Sequence, residues 1–267
     1  MGQMEVGQFE SHDSDGTVPC RMYRFLLRPR WIAFHLLVIA GVVLMVNLGF
    51  WQLRRLDERQ TFNDRVDERI DAAPVGLDEL VPTDAALGDD TLDAVEWRPV
   101  LVTGQYLPDE QVLVVNRSQN GQPGEMVVTP MELDDGRILL VERGFVPLDF
   151  EAAPAPAGDV TVEGRVRVSQ AHRRGQVTDA AAGELTEVQR LDIGRLADQL
   201  PGPVVPVYIE LTQSLPAEAG PSPVPVLAPE LTSGSHLSYT VQWFIFALCA
   251  VVGWVFAVRK SARAQQL

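Results

Sequence analysis

The run WIAFHLLVIAGVVLMVNLGF (31–50) contains twenty consecutive residues without a charged side chain. A second uncharged run of the same length, YTVQWFIFALCAVVGWVFAV, occupies residues 239–258. At about 1.5 Å per residue, a twenty-residue helix crosses a hydrocarbon core of about 30 Å. Helices in the core of a soluble protein are rarely so long and so apolar. Each run therefore predicts a transmembrane helix.

The first run lacks the features of a cleaved targeting signal. It is too long for the apolar part of a signal peptide, and no small-x-small cleavage site follows it. Residues 1–20 contain four acidic and no basic side chains, which is the reverse of a mitochondrial transit peptide. We therefore expect this run to stay in the protein as a membrane span.

Basic side chains predict the orientation of both spans. They precede the first span at Arg21, Arg24, Arg28 and Arg30, and follow the second at Arg259, Lys260 and Arg263. Because short cytoplasmic segments carry an excess of such residues, both tails, 1–30 and 259–267, are expected in the cytoplasm. Residues 51–238 then lie outside, and the sequence predicts a multi-pass protein of the cell membrane.

The charge of the chain is concentrated between the spans. The whole chain has a net charge of −14, whereas residues 51–238 alone carry 32 acidic and 15 basic side chains. Binding to nucleic acid through phosphate neutralisation needs a basic face, so that class of partner is excluded. The two cysteines, Cys20 and Cys249, lie outside the middle segment, so a disulfide-stapled domain is excluded as well.

The middle segment begins as a helix and then changes to a pattern of period two. Residues 51–73 repeat apolar side chains at helical spacing before Pro74, and a polar stretch reaches Val95 with room for one short helix. Strands rich in β-branched residues are predicted at 100–106, 111–117, 125–133, 137–145, 160–168, 185–191 and 204–211. A short helix over 193–200 is expected after an Asp192 cap, and a linker rich in proline at 215–235.

The predicted fold is therefore an α+β membrane protein. Two transmembrane helices, one N-terminal and one C-terminal, flank a mainly antiparallel β domain outside the cytoplasm, which is a small barrel or a sandwich.

Motifs for soluble catalysis are scarce. The chain contains no CxxC, HExxH, GxSxG or GxxxxGK[ST] sequence. The middle domain has a single interior histidine, His172, beside Arg173 and Arg174, and a solvated loop is the favoured interpretation. Nucleophilic triads need a histidine close to a serine or cysteine, and nothing beyond the nearby Ser169 suggests one.

The more informative residues lie where the second span begins. On a helix, His236, Tyr239 and Trp243 share one face, and Gln242 projects from a neighbouring part of the surface. A neutral imidazole at a membrane edge suits an axial ligand for a lipophilic haem. A histidine that only bonds lipid headgroups or the linker is the alternative.

A second histidine, His35, is the fifth residue of the first span. The spans run antiparallel, so His35 is expected near the cytoplasmic face and His236 near the outer face, about 20 Å or more apart. They cannot ligate the same iron, whereas Trp51 and Gln52 share the outer level with His236.

Two segments at these span ends resemble a known family. LGFWQLRRLDER (48–59) is similar to the LGxWQxxR signature of the surfeit-locus-one family of cytochrome c oxidase assembly factors, and HLSYTVQWFIFA (236–247) is similar to its HLxYAxQWF signature. VTGQY (102–106), VNR (115–117), GEMVVTPMEL (124–133) and LVERGFVP (140–147) resemble its GxY, NR, GxxVxTPL and VNRGWVP segments. The chain departs from the pattern with Met131 for leucine, Glu142 for asparagine, Phe145 for tryptophan and Thr240 for alanine.

The resemblance implies an assembly role without enzymatic turnover. Family members help to mature the catalytic subunit of haem–copper oxidase, some bacterial members bind haem a, and the histidine of the HLxY motif is implicated as a ligand. Carried over to this chain, the iron ligand is His236. The residues expected to shape its surroundings are Trp51, Gln52, Tyr239, Gln242 and Trp243. Arg117 and Arg143 would contact haem propionates or pack inside the domain, and packing is favoured.

The implied partners are the oxidase catalytic subunit, haem a synthase and the lipid bilayer. Two other functions stay open. One is a scaffold for oxidase assembly that binds no haem, and the other is a membrane-tethered hydrolase with its catalytic domain outside, in which His172 would be essential.

Overall fold

The structure is a computed structural model that describes residues 24–170 and 175–264. The described residues form two compact units. The helix unit contains the residues up to Thr61 and those from Thr232 onward, and the barrel unit is Phe62–Leu231.

The helix unit is built on two long helices. A short 3₁₀ turn at Arg24–Leu27 precedes α1, which runs over Pro29–Ile70, and α5 runs over His236–Ala264. The most apolar windows of the two helices have mean hydropathies of 2.3 and 2.2, and both helices are long and apolar enough to cross a membrane. The predicted helix over 51–73 is therefore the continuation of α1, and α5 begins three residues before the predicted second span.

The two helices pack antiparallel through aromatic side chains. The ring of Phe244 on α5 lies against Gly49 of α1, where a Cβ atom would come within 3.0 Å of the ring. Phe244 also meets Phe50 edge to face, with ring centroids 5.7 Å apart. Towards the other end, the indole of Trp254 donates a hydrogen bond to His35. The missing side chain at Gly49 thus lets the helices approach each other.

In the described part of the barrel unit there are eight strands, with short helices between some of them. The strands are β1 (Val75–Gly76), β2 (Pro99–Tyr106), β3 (Val112–Gln119), β4 (Gln122–Leu133), β5 (Ile138–Pro147), β6 (Asp159–Val168), β7 (Glu187–Val188) and β8 (Val204–Leu215). The short helices are α2 (Leu77–Leu80), α3 (Leu92–Val95) and α4 (Ile193–Ala197), with a 3₁₀ turn at Pro108–Glu110.

Five of these strands close into a barrel. The pairings run from β2 to β6, β8, β5 and β4, and β4 pairs again with β2. All are antiparallel except that between β5 and β8, which are parallel. β1 pairs in parallel with β2, and β7 with β3 at the far edge. The predicted mainly antiparallel β domain is confirmed, and of the two predicted alternatives, a small barrel or a sandwich, the structure shows the barrel.

The hydrophobic core has two parts because the sheet buries both faces. One cluster includes Val102, Met131, Val141 and Ile209, with α2 and α3 contributing leucines. The other joins β3, β4 and β5 to the segment around α4, through residues such as Val114, Leu140 and Ile193. As a result, β5 is buried along almost its whole length.

Most of the predicted strands and helices of the barrel unit are present, but several begin or end at residues other than the predicted ones. The expected strand at 185–191 is reduced to β7, and the expected helix at 193–200 is the shorter α4, whose Asp192 cap accepts a bond from the backbone of Arg195. β8 extends to Leu215 into the predicted linker, which also pairs with the barrel through a bridge between Val224 and Phe145. The two-residue strand β1 was not predicted.

Packing of α1 against α5 predicts a position-specific effect of a larger side chain. We expect Gly49→Leu to destabilise the helix unit by about 1–3 kcal/mol, because the new side chain must displace the ring of Phe244. The measurement is thermal unfolding of the full chain in detergent.

Gly253→Leu is the matched control, since nothing lies within 4 Å of a Cβ atom at that position. Equal melting temperatures for the two variants would contradict this packing.

Candidate functional site

A hydrogen bond joins His236, the first residue of α5, to Gln52 of α1. The distance between Nδ1 of His236 and Oε1 of Gln52 is 2.9 Å. A carbonyl oxygen can only accept, so the imidazole donates from Nδ1. The neutral ring then carries an unprotonated lone pair on Nε2, which is the form of histidine that ligates metals. The structure thus brings together two residues that the sequence placed at one level.

The Nε2 side of this imidazole is open. Among the residues that the structure describes, Nε2 of His236 has no hydrogen-bond partner, and it is not an enclosed atom. Gly234 lies beside it with φ +64°, a conformation that favours glycine, and a Cβ atom there would come within 3.6 Å of Nε2. Sequence reasoning missed Gly234, although a glycine between two serines just before a helix is a turn signal.

The other predicted site residues lie on the same two helices as His236 and Gln52. Trp51 is 43% exposed and stacks with the guanidinium of Arg55, 5.8 Å from its ring centroid. Tyr239 is 48% exposed, Gln242 is exposed, and Trp243 packs edge to face with Phe246. Within the described residues, no hydrogen bond or ring contact joins any of these four to His236.

The competing histidine, His35, is held in the opposite tautomer. Nε1 of Trp254 lies 2.9 Å from Nδ1 of His35, and an indole nitrogen can only donate. Nδ1 therefore accepts, and Nε2 carries the hydrogen. Trp254 lies 18 residues beyond His236 on α5, or about 27 Å of helix, which agrees with the predicted separation of the two histidines. In this state His35 has no lone pair to offer a metal.

The described residues contain no other arrangement suited to a metal ion. Over 24–170 and 175–264, no group of three or more His, Cys, Asp or Glu side chains is placed to hold one. His172 lies outside the described residues, so its predicted solvated loop is untested. A metal held by this part of the chain would have to bring most of its own ligands, as the iron of a haem does.

The two arginines considered for haem propionates are engaged inside the barrel unit. Arg143 is fully buried and forms an ion pair with Glu218, with further bonds to Gln111 and to the backbone of Ala153. Arg117 donates to the backbone oxygen of Gln189 at 3.1 Å. These contacts agree with packing as the role of both side chains.

A buried charge cluster occupies the outer face of β5, β6 and β8. Its ion pairs join Glu210 to Arg165 and Arg167, and Arg167 also pairs with Glu96 and stacks 3.7 Å from the Trp97 ring centroid. Glu142 is 8% exposed, and within the described residues no hydrogen bond or ion pair ends on its carboxylate.

Burial and the neighbouring Glu210 raise the pKa of Glu142 to about 7, from an ordinary value near 4.5. The other charged or titratable groups that influence Glu142 or are influenced by it are Arg117, Arg165, Arg167 and Tyr208.

The structure defines a class of protein. Along the chain, a five-stranded barrel lies between two long apolar helices, and the second helix begins with a histidine whose Nε2 is accessible. Sequence comparison gives the family. The SURF1 family matches residues 39–248, so the chain belongs to that family.

Relatives agree with this assignment over most of the chain. A SURF1-like protein of Mycobacterium tuberculosis is 32% identical over 248 residues, which covers 91% of this chain and 88% of the relative. A SURF1-like protein of Monosiga brevicollis is 28% identical over 82% of this chain and 85% of its own length. The cytochrome oxidase assembly protein SHY1 of Saccharomyces cerevisiae is 30% identical over 41% of this chain and 27% of its length.

Glu142 predicts a pH dependence of stability. Its pKa is higher in the folded than in the unfolded chain, so the folded state binds the extra proton between pH 4.5 and 7. The stability of the fold is therefore not reduced by Glu142 below about pH 4.5, and it falls by the largest amount once the pH has risen through 7. We expect Glu142→Gln to remove this loss, so that its free energy of unfolding at pH 8 exceeds that of the wild type by up to about 3 kcal/mol.

The measurement is urea unfolding of the full chain at pH 5 and pH 8. Glu132→Gln, which changes an exposed carboxylate on β4, is the matched control. A stability difference between wild type and Glu142→Gln that is the same at both pH values would show that Glu142 is not the source.

Proposed function

We propose that this protein is a membrane-bound assembly factor for haem–copper cytochrome c oxidase and that it binds haem a through His236. The observation that carries the proposal is the hydrogen bond from His236 to Gln52, which leaves Nε2 unprotonated and open. Membership of the SURF1 family supports the assembly role, because its member SHY1 is named as a cytochrome oxidase assembly protein.

In this proposal α1 and α5 cross the cell membrane and both tails lie in the cytoplasm. The basic residues beside the two apolar segments support that orientation. The His236–Gln52 pair then lies at the outer edge of the bilayer, where a lipophilic ring can be held without leaving the membrane. The partners are the oxidase catalytic subunit and haem a synthase.

The residues at the helix ends fit a haem with one protein ligand. His236 would supply the ligand through Nε2, and the haem would supply an iron with four ligands of its own. Gln52 accepts a hydrogen bond from Nδ1–H, which fixes the tautomer and makes Nε2 a better ligand for a metal. The exposed rings of Trp51 and Tyr239 offer apolar surface on the same helices. No turnover is required, and the chain acts by binding and release.

Haem binding is tested on the full chain purified from cells that make haem a. We expect the wild type to show a haem a absorption spectrum and His236→Ala to lose it. Gln52→Leu should bind haem a about 10- to 100-fold more weakly, because a lost partner of the ligand has that effect at other metal sites. Gln52→Glu keeps an acceptor and should restore binding.

His35→Phe is the matched control, since it removes the other described histidine and should leave the haem content unchanged. A wild-type protein without haem a, or equal haem in His236→Ala, would overturn the ligand assignment. In that case complementation decides between the remaining functions. A His236→Ala chain that restores oxidase activity to a deletion strain points to the haem-free scaffold.

The tethered hydrolase stays an untested alternative, since His172 is outside the described residues. It would be favoured only by a hydrolytic activity that His172→Ala abolishes.

A further inference from the structure

A groove of about 260 Å³ lies between α1 and α5 on the side of His35. Its walls are formed by Val38, Ile39, Val42, Val43 and Val251, with His35 and Trp254 completing the lining. From His35 to Val43 the groove follows eight residues of α1, which is about 12 Å. Since no polar surface lines it, the part of any occupant inside the groove is hydrocarbon.

A hydrogen-bond donor stands at the rim of this groove. His35 carries its hydrogen on Nε2, because Nδ1 accepts from Trp254. Within the described residues this Nε2–H has no partner, and it is not an enclosed atom, so an acceptor from outside the protein can reach it. An unpaired donor costs several kcal/mol in a hydrocarbon environment, so an acceptor is expected at that level.

The depth of His35 indicates which acceptor is available there. His35 lies four residues, or about 6 Å, after Trp31, an aromatic residue of the kind that sits at a membrane interface. That level is where the polar headgroup layer of a bilayer gives way to hydrocarbon. The ester carbonyls of glycerophospholipids lie at this boundary and accept hydrogen bonds.

The volume of the groove favours a single acyl chain over a bulkier ligand. Pockets that enclose most of a drug-sized ligand usually have volumes of about 300–1,000 Å³, so this groove of about 260 Å³ is smaller than a site that would enclose a haem or a quinone ring. The apolar walls suit an acyl chain, and the length of the groove takes the first part of one such chain. The carbonyl at the start of that chain would then meet the donor at the rim.

We propose that the groove beside His35 binds one glycerophospholipid, with an acyl chain along α1 and its ester carbonyl accepting from Nε2–H of His35. This inference rests on the membrane placement given under the proposed function and is independent of haem. The bound lipid would tie α1 to α5 at the end of the helix pair remote from Gln52.

Native mass spectrometry of the delipidated full chain tests the proposal. The probes are a phosphatidylglycerol with two ester-linked chains and its ether-linked analogue with the same chains, which lacks both carbonyls. We expect one bound lipid and a preference of about three- to fivefold for the ester, the size of one hydrogen bond within a membrane. His35→Phe should bind both probes equally.

Val42→Trp, which fills the groove, should reduce the binding of both probes. It tests the groove without changing His35, so the proposal can still be tested if His35→Phe does not fold. Thermal unfolding of each variant checks that α1 and α5 still pair. Asn47→Leu is the matched control, because it removes an exposed polar side chain of the same helix, which donates to the backbone oxygen of Val43, and it should keep the ester preference.

Three results would overturn the proposal. The first is equal binding of ester and ether lipids to the wild type, and the second is an ester preference that survives His35→Phe. The third is displacement of the lipid by decylubiquinone, which would make a quinone the occupant. Failure of the haem experiment leaves this test unaffected, whereas a chain that does not float with vesicles would refute the membrane placement itself.

Discussion

The antiparallel packing of α1 against α5 is the constraint on which the candidate site depends. Gly49 allows the ring of Phe244 to lie against α1, and this contact sets the register that brings Gln52 level with His236. The same register brings Trp254 level with His35. Each imidazole meets a partner that fixes its tautomer, and the two partners differ in kind. Gln52 presents an acceptor and leaves a lone pair free, whereas Trp254 presents a donor and leaves a hydrogen free.

The barrel unit shows a different use of buried polar groups. Arg143 and Glu218 neutralise each other inside the unit, and Arg165, Arg167 and Glu210 do so on the outer face of the sheet. Buried ion pairs contribute little net stability by themselves, but removing one partner is costly because it leaves a buried charge unpaired. Glu142 is the exception, because its carboxylate has no partner among the described residues. It stands where the family signature has a neutral asparagine.

Much of the fold follows from patterns that are local in sequence. Two uncharged runs and a period of two were enough to predict both long helices and the main strands. β1, the shortness of β7 with its pairing to β3, and the parallel pairing of β5 with β8 were not predictable, since they depend on contacts between distant segments. At the candidate site, helical spacing identified His236 and shared depth identified Gln52. The tautomers and the role of Gly234 could not be predicted, because they depend on atoms contributed by a second segment.

The hydrogen bond between Gln52 and His236 joins residues 184 positions apart. During synthesis, α1 is made long before α5 and has no partner until the last helix leaves the ribosome. An incomplete chain therefore contains the acceptor, Gln52, but not yet the imidazole of His236 that the acceptor holds in its ligating form. The order of synthesis itself delays the candidate site until the barrel and both helices are complete, so a half-made protein would not capture a reactive ligand.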